Sequence, residues 1–203
     1  MARSKLKDCD INKFRKDLCD VALKLFSERG REGVSLRAVT RAMGCSHTTP
    51  YRYFESVEAI FAAVRSRCFE RFETFLRQRL DPIEDPLQAI QQLSLSYFDF
   101  AFRNRSEFEV MFAMDQPDPT LYPESIEAGK KAWQVPLELS RRAVESGALE
   151  ADPEELAHLL WSGVHGIAVL HLAGKFSMGK DASELLIPHV EALIRAFSKR
   201  REP

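Results

Sequence analysis

The chain has 203 residues and carries 29 Lys plus Arg against 30 Asp plus Glu, a net charge of -1, with 45% hydrophobic residues. Such a length suits one domain, or a small domain joined to a larger one, and the apolar content is enough for a buried core, which excludes intrinsic disorder. The near-neutral charge excludes a histone-like protein that coats nucleic acid without choice of site.

In chain order, Arg3, Lys5 and Lys7 are followed by Asp8 and Asp10 rather than by an apolar run, so no signal peptide is predicted and a cytoplasmic location is expected. Asp10 caps a predicted helix whose apolar residues Phe14, Leu18, Ala22, Leu25 and Phe26 share a face, and Gly30 and Gly33 end it. A short helix follows from Ser35 to Met43, stopped by Gly44, and Ser46 opens a second one reaching about Phe54. A long helix begins at Ser56, with the stripe Val57, Ile60, Phe61, Val64, Cys68, Phe72, Phe75 and Leu76, and ends at Asp81-Pro82. Asp85-Pro86 opens the next helix with proline at its first position, and Ser106-x-x-Glu109 reads as a capping box. A further helix spans about Tyr122–Ser146, with a bend expected at Pro136. Asp152-Pro153-Glu154-Glu155 starts another, and the last runs from about Ser183 to Lys199 through Pro188. No strand-like alternation is found, so the class is all-α, with a boundary inside the long connector: 8–56, a connector at 57–80, and a larger block at 81–203.

Two features need exclusion. Cys9, Cys19, Cys45 and Cys68 form no C-x-x-C pair and read as reduced thiols rather than a metal site; no cofactor is implied. Leu156–Gly174 lacks Asp, Glu, Lys and Arg, but His158, His165, His171 and Ser162 would be costly in lipid, so it reads as a helix buried on most sides, inside the subunit or between subunits, and no membrane partner is expected.

The segment Gly33–Phe54 (GVSLRAVTRAMGCSHTTPYRYF) carries the chemistry. Val34, Leu36, Val39, Ala42, Met43 and Cys45 supply a small core between two short helices, Gly44 gives the turn and Ser46 the cap. The second helix then offers His47, Thr48, Thr49, Tyr51, Arg52 and Tyr53, groups suited to base edges and phosphates in a major groove.

The run Ala22-Leu-Lys-Leu-Phe-Ser-Glu-Arg-Gly30, then Gly33-Val-Ser-Leu-Arg-Ala-Val39, Met43-Gly-Cys-Ser46, Tyr51-Arg-Tyr-Phe54 and Glu58-Ala-Ile60 resembles, in unbroken register, the DNA-binding domain of the tetracycline-repressor (TetR) family of bacterial regulators. Trp161-Ser-Gly-Val-His165-Gly166 is similar to a Trp–His–Gly segment in one branch of that family's ligand domains. The resemblance implies a helix-turn-helix domain joined to a ligand-binding and dimerisation domain. It places Arg37, beside Ser35, where the family often touches a base, and Ser46, His47, Thr48 and Thr49 at the reading end of the recognition helix. Tyr51 and Tyr53 fall where the family holds phosphates, with Arg52 between them. Two positions depart from the pattern: Val57 stands where lysine is common, and Pro50 where leucine is frequent.

The charge divides accordingly. Residues 1–54 hold 12 Lys plus Arg and 6 Asp plus Glu, a balance of +6, whereas residues 55–203 hold 17 and 24, a balance of -7. A basic reading head on an acidic body suits a protein that binds one kind of site.

In the larger block, Phe98, Phe100 and Phe102 spread around one helix, which implies a second apolar surface beyond the core. A pocket lined by Phe98, Phe102, Phe112, Trp133, Trp161 and His165 is the expectation, and the resemblance implies an apolar or amphipathic small-molecule effector in it. A lone histidine on an apolar helix reads first as a hydrogen-bonded core residue. Gly163 and Gly166 allow close approach. Ile167, Leu170 and His171, with Val190, Leu193 and Phe197, are candidates for a four-helix interface between two copies, the homodimer that the resemblance implies. No H-E-x-x-H, G-x-S-x-G or phosphate-loop pattern speaks for an enzyme. The reading is a ligand-responsive transcriptional regulator, acting as a repressor on a near-palindromic double-stranded operator; the rival is a helical ligand-binding or interaction protein without specific DNA readout.

Overall fold

A computed structural model describes residues 8–46, 53–177 and 179–198. Among them the order is α1 (Asp8–Arg29), a 3-10 turn (Arg31–Gly33), α2 (Leu36–Met43), α3 (Val57–Leu80), α4 (Pro86–Arg103), α5 (Arg105–Phe112), α6 (Pro123–Glu145), α7 (Pro153–Leu172) and α8 (Ala182–Phe197), with no strand. The class is all-α, as the periodicity predicts.

Helix ends follow local chemistry. Asp85 accepts from the N–H groups of Leu87 and Gln88, and Asp152 from those of Glu154 and Glu155, each with proline at the first position. Asp181 and Glu184 form a reciprocal capping box at α8. The predicted box at Ser106 is corrected: α5 already begins at Arg105, so Ser106 lies inside the helix and cannot cap it. α6 runs without interruption through Pro136, and α8 through Pro188.

The chain folds into two compact units, one holding the described residues up to Cys68 together with Ser106–Ala128, the other Phe69–Arg105 with Gly129 onward. The boundary thus falls inside α3, and α5 groups with α1 to α3. Sequence order, which divides the chain at 56 and 80, carries no sign of that grouping.

The N-terminal unit has a core of Leu18, Ala22, Leu25, Val34, Val39, Ile60 and Val64. Arginines tie its helices together. Arg67 donates to the Lys16 carbonyl at 2.7 Å and pairs with Asp20 at 3.0 Å, and the Arg15 guanidinium lies 4.9 Å above the buried Phe54 ring. The C-terminal unit packs α4, α7 and α8 against one another. Phe100 is fully buried, edge-on to Phe72 at 4.9 Å and Phe75 at 5.2 Å. Among the described residues no helix is long and apolar enough to cross a membrane, no group of side chains is arranged to hold a metal, and Cys19, Cys45 and Cys68 form no disulfide.

Candidate nucleic-acid interface

Ser35 adopts extended backbone and its exposed hydroxyl accepts from the Ala38 N–H at 3.1 Å, which caps α2. Arg37 stands exposed in the first turn. Beneath it, Val39 and Thr40 are buried, and the Thr40 hydroxyl donates to the Arg37 carbonyl at 2.9 Å. Gly44 ends α2 at φ 64°, in the left-handed region where a side chain would be strained. Ser46 follows at the surface. His47, Thr48, Thr49, Tyr51 and Arg52 lie outside the described residues. Tyr53 is half-buried, its ring 4.8 Å from that of Phe14 on α1. The residue that stands where lysine is common, Val57, begins α3, with Ser56 accepting from the Ala59 N–H at 3.1 Å.

In the C-terminal unit, Trp133, Trp161 and His165 do come together: the two indoles meet edge to face at 5.8 Å, and Trp161 lies 5.5 Å from the His165 ring. His165 is hydrogen-bonded to the Tyr97 hydroxyl at 2.8 Å, the satisfied core histidine that its place on an apolar helix predicts. Burial lowers the His165 pKa below the ordinary imidazole value and raises that of Tyr97, so both are neutral near pH 7. The other predicted pocket residues sit elsewhere, a correction to the six-residue pocket. Phe98 and Phe102 flank His171 at 5.3 and 5.6 Å and border a shallow cavity of about 370 Å³ that neither tryptophan lines. Phe112 packs on Phe108 within the N-terminal unit. The reason is helix phase: Tyr97, Phe100 and Ala101 take the buried face of α4, leaving Phe102 61% exposed.

α7 is buried on one face only, through Leu156, Ala157, Leu160, Val164 and Ala168. Leu159, Val169 and Leu170 stand exposed, Ile167 and His171 half-buried, so of the two expected kinds of burial, inside the subunit or between subunits, the single chain does not supply the first on most sides. On α8, Leu193 and Phe197 are half-buried. Val190 is 0% exposed and has no surface left for a partner, so it is a core residue rather than an interface one. Gly163 is needed for packing: a Cβ there would meet the buried Nε2 of the half-buried His189 at 1.8 Å, whereas Gly166 faces open space.

Sequence reasoning passed over Arg65. It is 3% exposed, and all its hydrogen bonds go to neutral acceptors: Nε to the Val110 carbonyl at 2.8 Å, Nη2 to the Met114 carbonyl at 2.8 Å, and Nη1 to the Asp115 carbonyl and Gln116 Oε1, both at 3.1 Å. The signal was present, since an arginine four residues after Phe61 and three before Cys68 falls within the apolar stripe of α3.

A capped eight-residue helix with an exposed arginine in its first turn, stopped by a left-handed glycine, packed on α1 and lying in the basic stretch 1–54, is what the first helix of a helix-turn-helix DNA-binding protein requires. The family follows from comparison with known proteins. Residues 18–64 match the bacterial regulatory proteins of the tetR family, and residues 90–193 match the tetracyclin repressor-like C-terminal domain. The chain belongs to the TetR family of transcriptional regulators, DNA-binding proteins rather than enzymes. It is 35% identical over 77 residues to the HTH-type transcriptional repressor KstR of Rhodococcus jostii, a match covering 38% of this chain and 35% of that protein. The chain thus aligns with only about a third of the length of the curated relatives it matches. In fold it is similar to a protein of unknown function from Rhodococcus sp. RHA1 (TM-score 0.80, 22% identity, 91% of this chain and 95% of the other) and to the TetR family transcriptional regulator PfmR of Thermus thermophilus (TM-score 0.66, 20% identity, 88% and 97%).

Proposed function

We propose that this chain is a repressor that binds a near-palindromic operator as a homodimer and responds to an apolar or amphipathic small molecule. In functional terms, residues 8–56 read DNA, α3 connects, and 81–203 bind effector and partner. The observation that carries the DNA assignment is the exposed Arg37 on the Ser35-capped first turn of α2. It stands where the family's contact to a base falls, with His47, Thr48, Thr49, Tyr51, Arg52 and Tyr53 supplying base and phosphate contacts. Repression rather than activation is supported by the partial likeness to KstR.

The exposed apolar side of α7 supports the dimer: Leu170 is 47% exposed, flanked by Ile167 and His171, with Leu193 and Phe197 of α8 half-buried. An apolar strip of this kind is buried when a second copy packs on it. A dimer places two reading heads in successive major grooves, about 34 Å apart. A ligand then acts by favouring one separation over another, and a differential affinity of about 1–3 kcal/mol is typical of such coupling. The Trp133–Trp161–His165 cluster is where an effector in the C-terminal unit would act.

The test is selection of bound sequences from a random DNA library, with the mass of the free protein measured by sedimentation. The reading expects an inverted repeat bound by a dimer; a direct, asymmetric site bound by a monomer opposes it.

A further inference from the structure

The cations of the N-terminal unit sort into two groups. One group is spent inside the fold. Lys13 pairs with Asp17 and Arg31 with Glu58, both at 3.0 Å, Lys24 lies 3.9 Å from Glu28, and Arg67 reaches Asp20 at 3.0 Å. Arg15 lies over the Phe54 ring, and Arg65 is bound by the carbonyls of Val110 and Met114. The other group is Lys16, Arg29, Arg37 and Arg41, none of which forms an ion pair with a described residue.

Two members of that second group share α2. Arg37 and Arg41 stand one helical turn apart and both are exposed, while Val39 and Thr40 take the buried side. Side chains four apart on a helix are neighbours, about 5–6 Å between Cβ atoms, and like charges so placed repel each other. No acid relieves them, because neither Asp nor Glu occurs from Gly33 to Phe54. The helix dipole favours a cation in the last turn, where Arg41 lies, but disfavours Arg37 in the first. Nor is Arg41 needed to close the helix: its own carbonyl and that of Thr40 are met by the Gly44 N–H, and its guanidinium makes no hydrogen bond to a described residue. The helix thus presents two cations in one direction that nothing described in the chain neutralises.

We infer that Arg41 is a further DNA-contacting residue, which holds a phosphate of the strand beside the base that Arg37 touches. This rests on the proposed reading of DNA by the N-terminal unit. In a helix-turn-helix the first helix crosses the phosphate backbone while the second enters the groove. A guanidinium one turn along the crossing helix from a base contact is set against phosphate. Such a contact fixes the register of the protein on its site and carries no sequence information itself. The two arginines of α2 therefore divide the work, Arg37 discriminating and Arg41 anchoring.

Fluorescence anisotropy of the full chain over a salt series tests this on two duplexes, the site recovered by selection and a shuffled duplex of the same composition. Wild type, Arg41→Gln, Arg41→Lys and Arg37→Ala are compared, each checked by thermal melting. Loss of one phosphate contact lowers the slope of log affinity against log salt by about 0.9 per bound copy, which is about an eightfold loss of affinity over one decade of salt. Arg41→Gln should show that change on both duplexes, with base preference and melting unchanged. Arg41→Lys should keep the wild-type slope, because a phosphate accepts a point charge. Arg37→Ala should instead relax discrimination at one base pair. A wild-type slope and affinity in Arg41→Gln overturns the contact. So does a loss confined to the selected site at unchanged slope, which is base reading, or a slope that falls in Arg41→Lys as well. A lower melting temperature with DNA binding intact reduces Arg41 to a complement of the helix dipole and overturns it too. If Arg37→Ala weakens binding and Arg41→Gln does not, only this contact fails; wild-type behaviour in both removes the DNA assignment of α2 itself.

Discussion

The two units of this chain bury different groups: among the described residues the N-terminal unit encloses charged side chains, Arg65 at 3% and Glu107 at 7% exposure, whereas the C-terminal unit encloses none. In the N-terminal unit, arginines reach between elements: Arg67 to α1, Arg65 to the end of α5, Arg31 to Glu58 and Phe61. In the C-terminal unit the arginine ties lie nearer the surface, Arg77 to Glu138 and Arg79 to Asp99, and rings meeting edge to face fill the interior, Phe72 with Tyr97 and Phe100. Planar guanidinium groups fix geometry at small volume, since several donors in one plane reach acceptors on neighbouring elements. Ring packing gives energy through buried area.

That contrast can be broken by substitution. Phe100→Ala in the C-terminal unit should cost about 3–5 kcal/mol in chemical denaturation, whereas Phe102→Ala on the exposed side of the same helix should fall within about 0.5 kcal/mol. Equal losses at the two positions would contradict the assigned phase of α4. In the N-terminal unit, Arg65→Met removes the donors to three carbonyls and should cost about 1–3 kcal/mol. Arg65→Lys should recover little of it, because an ammonium cannot serve acceptors spread across a fork. Full recovery by lysine would mean that charge, not geometry, is what Arg65 supplies.

Gly163→Ala tests how tightly α7 meets α8. The added methyl runs into His189 and should destabilise by about 1–3 kcal/mol. His189→Ala should rescue most of it in a double-mutant cycle; additive losses would place the strain elsewhere. The smallest effect is a pH dependence. The folded-state pKa of His165 is depressed by burial, so the unfolded chain binds the extra proton more readily. The stability contributed by neutral His165 is present above the ordinary imidazole value of 6.5 and is lost as pH falls through the lowered folded value. Melting temperatures followed from about pH 7.5 to about pH 5 should fall more steeply for wild type than for His165→Gln, with His158, His171 and His189 common to both. Parallel curves would remove His165 from the account.

Much of the fold was legible because its signals are local. Ser35, Gly44, Ser56, Asp85 and Asp152 act within one helical turn, and each does what its type and position predict. The same rule misfired at Ser106, where Glu109 three residues on imitates a cap but the helix has already begun, and it was missed at Asp181, where Glu184 completes a box. The tertiary partners of a face are not local. The pattern of α4 shows that Phe98, Phe100 and Phe102 cannot share one neighbour, but not that His171 takes Phe98 and Phe102. Likewise Val190 reads as well for an interface as for a core until the packing of α8 is known. Arg65 shows the same limit, since its acceptors are backbone carbonyls about 50 residues away and carbonyls leave no mark in a sequence.

The central claim is that the N-terminal unit reads DNA through the exposed end of α2. Fluorescence anisotropy on a site recovered by selection tests it most directly, comparing wild type with Arg37→Ala and Tyr51→Ala, each checked for unchanged mass and melting. The account predicts at least about tenfold weaker binding for Arg37→Ala, with discrimination relaxed at one base pair, and a sequence-independent loss for Tyr51→Ala. Unchanged affinity in both variants would contradict it.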